Sequence, residues 1–128
     1  MIVDPSALLA VLFGEPDAQR FDEAIARAPR CRMSAVGFLE AAIVLESRSG
    51  PVAGNELDAF LQAAEIELVP VTPDHARAAR VAWRRFGKGN HLAGLNFGDC
   101  FSYALAEAAR EPLLFKGADF ALTDVKAA

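Results

Sequence analysis

The sequence predicts an α/β protein, a three-layer α/β/α sandwich around a short parallel central sheet. Three observations carry that expectation. Short apolar segments, Ile2-Val3, Ile66 to Val71 and Leu113-Leu114-Phe115, alternate with stretches of helical periodicity. Strands separated by helices of such length pair in parallel through right-handed crossovers. A chain of 128 residues with 53% hydrophobic content suits one domain, residues 1–128, with one core.

The elements follow in order. Met1 to Asp4 reads as a short buried strand. Pro5 and Ser6 open a helix, because a first helical turn tolerates proline's missing N–H. Gly14-Glu15-Pro16-Asp17 breaks it, and a second helix spans Ala18 to Ala28 with Phe21, Ala24, Ile25 and Ala28 on one face. Pro29 ends that helix. Arg32-Met33 makes a second short strand, and Ser34 caps a long helix reaching Ser49. Gly50-Pro51 closes it, and the next helix spans Gly54 to Ala64, with Leu57, Phe60, Leu61 and Ala64 in register. Ile66 to Val71 is a strand toward the sheet edge, since Pro70 cannot donate to a ladder. Thr72-Pro73-Asp74 starts a helix that runs to Phe86. The glycines and asparagines of Gly87 to Gly98 make a loop. Helix resumes at Asp99 and ends near Arg110. Leu113-Leu114-Phe115 is the last clear strand, and Leu122-Thr123-Asp124-Val125 adds a short one.

Composition narrows the function classes. A net charge of −4 argues against a wholly basic nucleic-acid binder but leaves room for a local basic patch. No apolar run is long enough to span a membrane, because Arg and Glu interrupt each one. The start lacks the basic-then-apolar pattern of a signal peptide, so a cytoplasmic location is expected. Cys31 and Cys100 have no metal-type spacing and read as reduced, partly buried thiols.

Four acids stand out. Asp4 follows Ile2-Val3, Glu40 interrupts the apolar run Val36 to Leu45, Asp99 opens a helix, and Asp119 comes shortly after the last strand. A lone carboxylate in apolar surroundings is costly or neutralises itself. Several together stay ionised if they share a hard divalent cation, for which oxygen-only ligand sets suit magnesium or manganese. In an open parallel sheet such a site lies beyond the carboxyl ends of the strands, where Asp4 and Asp119 belong. Spacing alone therefore points to divalent-metal phosphoryl transfer.

The chain resembles the PIN domains, and more narrowly the VapC-type toxin nucleases of bacterial toxin–antitoxin pairs. Ile2 to Leu8, Ser34 to Glu40, Leu95 to Ala106 and Pro112 to Phe120 with Thr123-Asp124 carry the resemblance, in family order over nearly the whole chain. It implies that Asp4, Glu40 and Asp99 are the first three acids of a Mg²⁺ or Mn²⁺ site. Asp119 is the choice for the fourth, with Asp124 the weaker candidate. Ser6 matches a supporting hydroxyl, while Pro5 departs from the Thr or Ser more common there. The implied activity is an endoribonuclease leaving a 5′-phosphate. The implied partners are a VapB-type antitoxin and a second copy of the chain, with Phe13, Phe38, Leu39, Leu45 and Leu61 as candidates for the antitoxin groove.

RNA contacts are expected from Arg77, Arg80, Arg84 and Lys88, which recur at helical spacing, and from His91 in the following loop. Lys116, just after the last strand, is a further candidate for the phosphate. Trp83 and Phe86 read as core or interface packing. Three rival readings share the general pattern. A receiver-type signalling domain lacks its mid-chain phosphoacceptor Asp here, and a haloacid-dehalogenase-like phosphatase needs an Asp where Ser6 stands. The third is a PIN-like binding module without catalysis.

Overall fold

Successive side chains of a strand point to opposite faces, so strands this short need helices on both faces to bury them. The computed structural model, which describes residues 1–128, has that arrangement. Its elements are β1 (Ile2–Val3), α1 (Pro5–Leu12), α2 (Ala18–Arg27), β2 (Cys31–Ser34), α3 (Ala35–Ser49), α4 (Pro51–Ala63), β3 (Ile66–Val69), α5 (Pro73–Phe86), α6 (Phe97–Ala109) and β4 (Leu113–Leu114). A 3₁₀ turn, Phe120–Leu122, follows.

All strand pairs are parallel, in the order β3-β2-β1-β4. Ile2 and Leu113 pair on one register, Val3 and Leu114 on the next. Val3 and Leu114 join a core with Phe21, Met33, Leu45 and Leu57. Ile2 and Leu113 face the other way, into a second core with Phe86, Leu95, Tyr103 and Leu105. The sheet thus separates two apolar layers, α1 to α4 on one side and α5 with α6 on the other. The expected three-layer sandwich is present, with β3 at the edge as Pro70 required.

Several boundaries differ from expectation, each for a local reason. The α4 helix starts at Pro51 rather than Gly54, because Gly50 at φ +81° turns the chain in one residue and Pro51 fits the first turn. The strand β3 ends at Val69, since Pro70 ends the ladder before Val71. The α6 helix begins at Phe97, two residues before Asp99, because Asn96 caps it. Leu122 to Val125 is not a strand. The segment opens with the 3₁₀ turn, and only Ala127 bridges back to Leu113.

Candidate active site

The strand order reverses beside β1: β2 and β3 lie on one side of it and β4 on the other. Side chains at the carboxyl ends of β1 and β4 therefore border a natural crevice. Asp4 stands at the end of β1 and caps α1, accepting from the Ser6 N–H at 2.9 Å. The Ser6 hydroxyl donates to the same oxygen, Oδ2, and accepts from the Lys116 N–H at 3.0 Å. Ser6 thus ties the exit of β1 to the exit of β4. Asp4 is 2% exposed, and its Oδ1 has no hydrogen-bond partner. Burial pushes its carboxyl above the ordinary carboxylate range, against the pull of the Ser102 and Ser6 hydroxyls and the Ser6 N–H.

Asp99 reaches the crevice from the first turn of α6. Asn96 accepts from the Asp99 N–H at 2.9 Å, and Asp99 accepts from the Asn96 N–H at 3.0 Å, a reciprocal capping box. This box leaves Asp99 at the third helical position, not at the helix start where the sequence placed it. Its carboxyl is pushed up to about 7, first by burial and then by the negative charges of Asp4, Glu40 and Asp119, with the Asn96 N–H opposing. Glu40 arrives from α3. Burial raises its carboxyl, and the charge of Asp4 adds to the effect.

Glu40 reaches this place because residue 98 is glycine. A Cβ on Gly98 would lie 1.8 Å from Glu40 Oε2, so the carboxylate rests on the bare backbone of α6. Asp4, Glu40, Asp99 and Asp119 line one cavity of about 250 Å³, with Ser6, Asn96 and Lys116 in its wall. Asp119 is exposed and makes no cap hydrogen bond to the turn it precedes, which leaves its carboxylate free.

Other candidates are held by partners or stand elsewhere. Asp124 accepts from the Tyr103 hydroxyl and, at 2.8 Å, from Arg85 Nη2, so it anchors the C-terminal segment outside this cavity. The Lys116 ammonium is held by Glu15 and Asp17, the latter at 2.8 Å, and does not stand free for a phosphate. Arg77 pairs with Asp74, while Arg80, Arg84 and Lys88 are exposed on α5 and its end without a carboxylate partner. His91 is exposed, accepts from the Ala93 N–H and sits edge-on to Phe86. Leu45 and Leu61 are core residues at 3% and 7% exposure, so no groove can use them; Leu39 is exposed, and Phe13 and Phe38 are half-buried. Phe86 is core, but Trp83 is half exposed.

Known proteins share this architecture. The PIN domain family model matches residues 1–126. A ribonuclease VapC of Mycolicibacterium smegmatis is 56% identical over 127 residues, which is 99% of this chain and 98% of that protein. The chain belongs to the PIN-domain family. Ribonuclease VapC30 of Mycobacterium tuberculosis is 52% identical over 125 residues, 98% of this chain and 95% of its own. Among solved structures, the toxin VapC20 of Mycobacterium tuberculosis, which cleaves the sarcin-ricin loop, superposes with a TM-score of 0.81 at 19% identity, over 99% of this chain and 97% of that one. A toxin–antitoxin complex from Klebsiella pneumoniae gives 0.75 at 16% identity, over 99% and 95%. These likenesses do not favour the receiver-like reading, and no helix is long and apolar enough to cross a membrane.

The donors of this PIN domain fit a hard dication. Every acidic group in the cavity wall is a carboxylate, oxygen ligands of the type that magnesium and manganese take. Asp4 Oδ1 is a buried acceptor with the Ser102 hydroxyl nearby but no hydrogen bond of good geometry, an oxygen that a cation could complete. The acids ring a cavity, and no three of them close tightly enough to clasp an ion by themselves. Two residues that complete the site escaped the sequence reading. Asn96 was legible, as an Asn three positions before an Asp at a helix start. Gly98 was not, because its partner Glu40 lies on a distant helix.

Proposed function

We propose that this PIN-domain protein is a divalent-metal-dependent endoribonuclease, a VapC-type toxin that cuts RNA phosphodiesters and is restrained by a cognate antitoxin. The observation that supports it best is the carboxylate cavity at the strand-order reversal, lined by Asp4, whose Oδ1 is buried and makes no hydrogen bond. Asp4, Glu40, Asp99 and Asp119 would hold Mg²⁺ or Mn²⁺. When bound, the ion would activate water for attack on phosphorus and neutralise charge on the departing oxygen.

The protein's own residues do the rest. Ser6 fixes Asp4 through two hydrogen bonds to one oxygen and leaves the other for the cation. Asn96 locks the Asp99 backbone, so its carboxylate enters the cavity without searching. Asp99, held at about 7, carries a proton for part of the time at neutral pH without metal, which limits repulsion among the four acids. Arg80, Arg84 and Lys88 form the positive flank that draws in the RNA backbone despite the net charge of −4.

The antitoxin and a homodimer belong to the same reading, as does action in the cytoplasm. The exposed Leu39 and Ile43, one turn apart on α3, give a protein partner apolar surface beside Glu40. The test is RNA cleavage with Mg²⁺ or Mn²⁺ and mapped product ends. Cleavage leaving 5′-phosphates, abolished by Asp4→Ala or Asp99→Asn in folded protein, is the expected result. Undiminished wild-type cleavage in excess EDTA would overturn the metal mechanism.

A further inference from the structure

A second cavity of about 560 Å³ opens between α5 and α6, and Asn96 lines both it and the acidic cavity. Its walls include Trp83, Phe97 and Phe101, with Arg80 and Lys88 at the rim. Trp83 is 48% exposed and Phe97 76%, and both large aromatics adjoin this one cavity. Both rings are held in place. A Cβ on Gly87 would lie 2.3 Å from Trp83 Cδ1, so the indole packs against the bare backbone of residue 87. Asn90 donates to the Trp83 carbonyl at 3.0 Å, and Phe97 meets Phe101 with centroids 5.1 Å apart. Neighbouring cations are neutralised, Arg77 by Asp74 and Arg85 by Asp124, but Arg80 and Lys88 pair with no carboxylate.

We propose that this cavity is a nucleobase subsite. It takes an unstacked base of single-stranded RNA adjoining the phosphodiester in the acidic cavity, while Arg80 and Lys88 hold flanking phosphates. The inference rests on the ribonuclease reading and adds the form of the substrate, an unpaired nucleotide. Aromatic walls accept any base, because every base has a π-face, and unpaired cations at the rim match the phosphates on either side. A second copy of this chain fits less well. A two-fold contact pairs this patch with itself, and so gathers the unpaired charges of Arg80 and Lys88 from both copies into one interface.

Trp83 is the only tryptophan, so its fluorescence reports on this cavity alone. The probe is a short single-stranded RNA of mixed sequence, titrated with magnesium into the Asp99→Asn protein so that it is not consumed. The control is the same backbone with abasic residues. The expected results are quenching by the intact RNA only, and affinity about tenfold lower for abasic RNA or for Phe97→Ala protein. With labelled RNA and anisotropy, Trp83→Phe should bind as before and Trp83→Ala should not. Lys88→Ala should weaken intact and abasic RNA equally. Equal affinity for the two RNAs overturns the subsite. So does a Phe97→Ala protein that loses self-association in sedimentation yet binds RNA unchanged. Wild-type protein that cleaves RNA with kcat/KM untouched by Phe97→Ala sinks the subsite and spares the nuclease reading. Base-dependent quenching by a protein that cleaves no RNA does the reverse.

Discussion

Gly98→Ala is the sharpest perturbation this structure offers, because stability and activity should move in opposite directions. The new methyl carbon would stand 1.8 Å from Glu40 Oε2 and 2.7 Å from its carboxyl carbon. Ordinary contact needs about twice the shorter of those distances, roughly 3.5 Å. Something must therefore shift by well over an ångström, and the free end of the Glu40 side chain is what can. Gly98 has no left-handed backbone that would penalise alanine, so the α6 helix should accept it with a gain of about 0.5–1 kcal/mol. Moving Glu40 outward also relieves its repulsion of Asp99. Folding should consequently be unchanged or slightly stronger. A catalytic group displaced by about an ångström costs on the order of a hundredfold in rate. The assay pairs urea denaturation with metal-dependent RNA cleavage. Retained cleavage in a folded Gly98→Ala protein would show that Glu40 is not part of the machinery. Destabilisation beyond about 1 kcal/mol would show that Glu40 cannot yield.

Further predictions concern the charges. Asp99 is held at about 7 against an ordinary 3.8, so between those values the folded state keeps a proton that the unfolded state has released. Metal-free stability should accordingly fall as pH rises through that window, by up to about 4 kcal/mol for a fully shielded group and roughly half that for this partly solvated one. Asp99→Asn should flatten the slope, and Mg²⁺ at neutral pH should restore stability to the wild type but not to the variant; equal slopes in urea titrations would refute this. Asp119→Asn should reduce cleavage at least tenfold with no loss of stability. Asp124→Asn should do the opposite, keeping cleavage and losing about 1 kcal/mol with its Tyr103 and Arg85 contacts. Ser6→Ala removes one hydrogen bond to Asp4 and the acceptor for the Lys116 N–H, and should cost about 1–2 kcal/mol by chemical denaturation.

The sequence by itself determined the layer architecture and singled out the four acids that the fold brings to one cavity. Proline, the serine and threonine caps and the apolar periods are local signals, read over a few residues. They located α1, α3 and α5 and put β3 at an edge. Where local signals compete, boundaries slipped. Asn96 and Asp99 are both good helix-start residues, and only their reciprocal bonding decides that Asn96 caps and Asp99 projects. The tertiary structure alone decided which long-range partners meet. It sent Asp124 to Tyr103 and Arg85, and gave the Lys116 ammonium to Glu15 and Asp17. It laid Glu40 across Gly98 and, of the core and interface places open to Trp83, left it half exposed at a cavity. The physical reason is that burial and charge depend on distances through space. Chain order constrains those distances only once the sheet has fixed which element lies beside which.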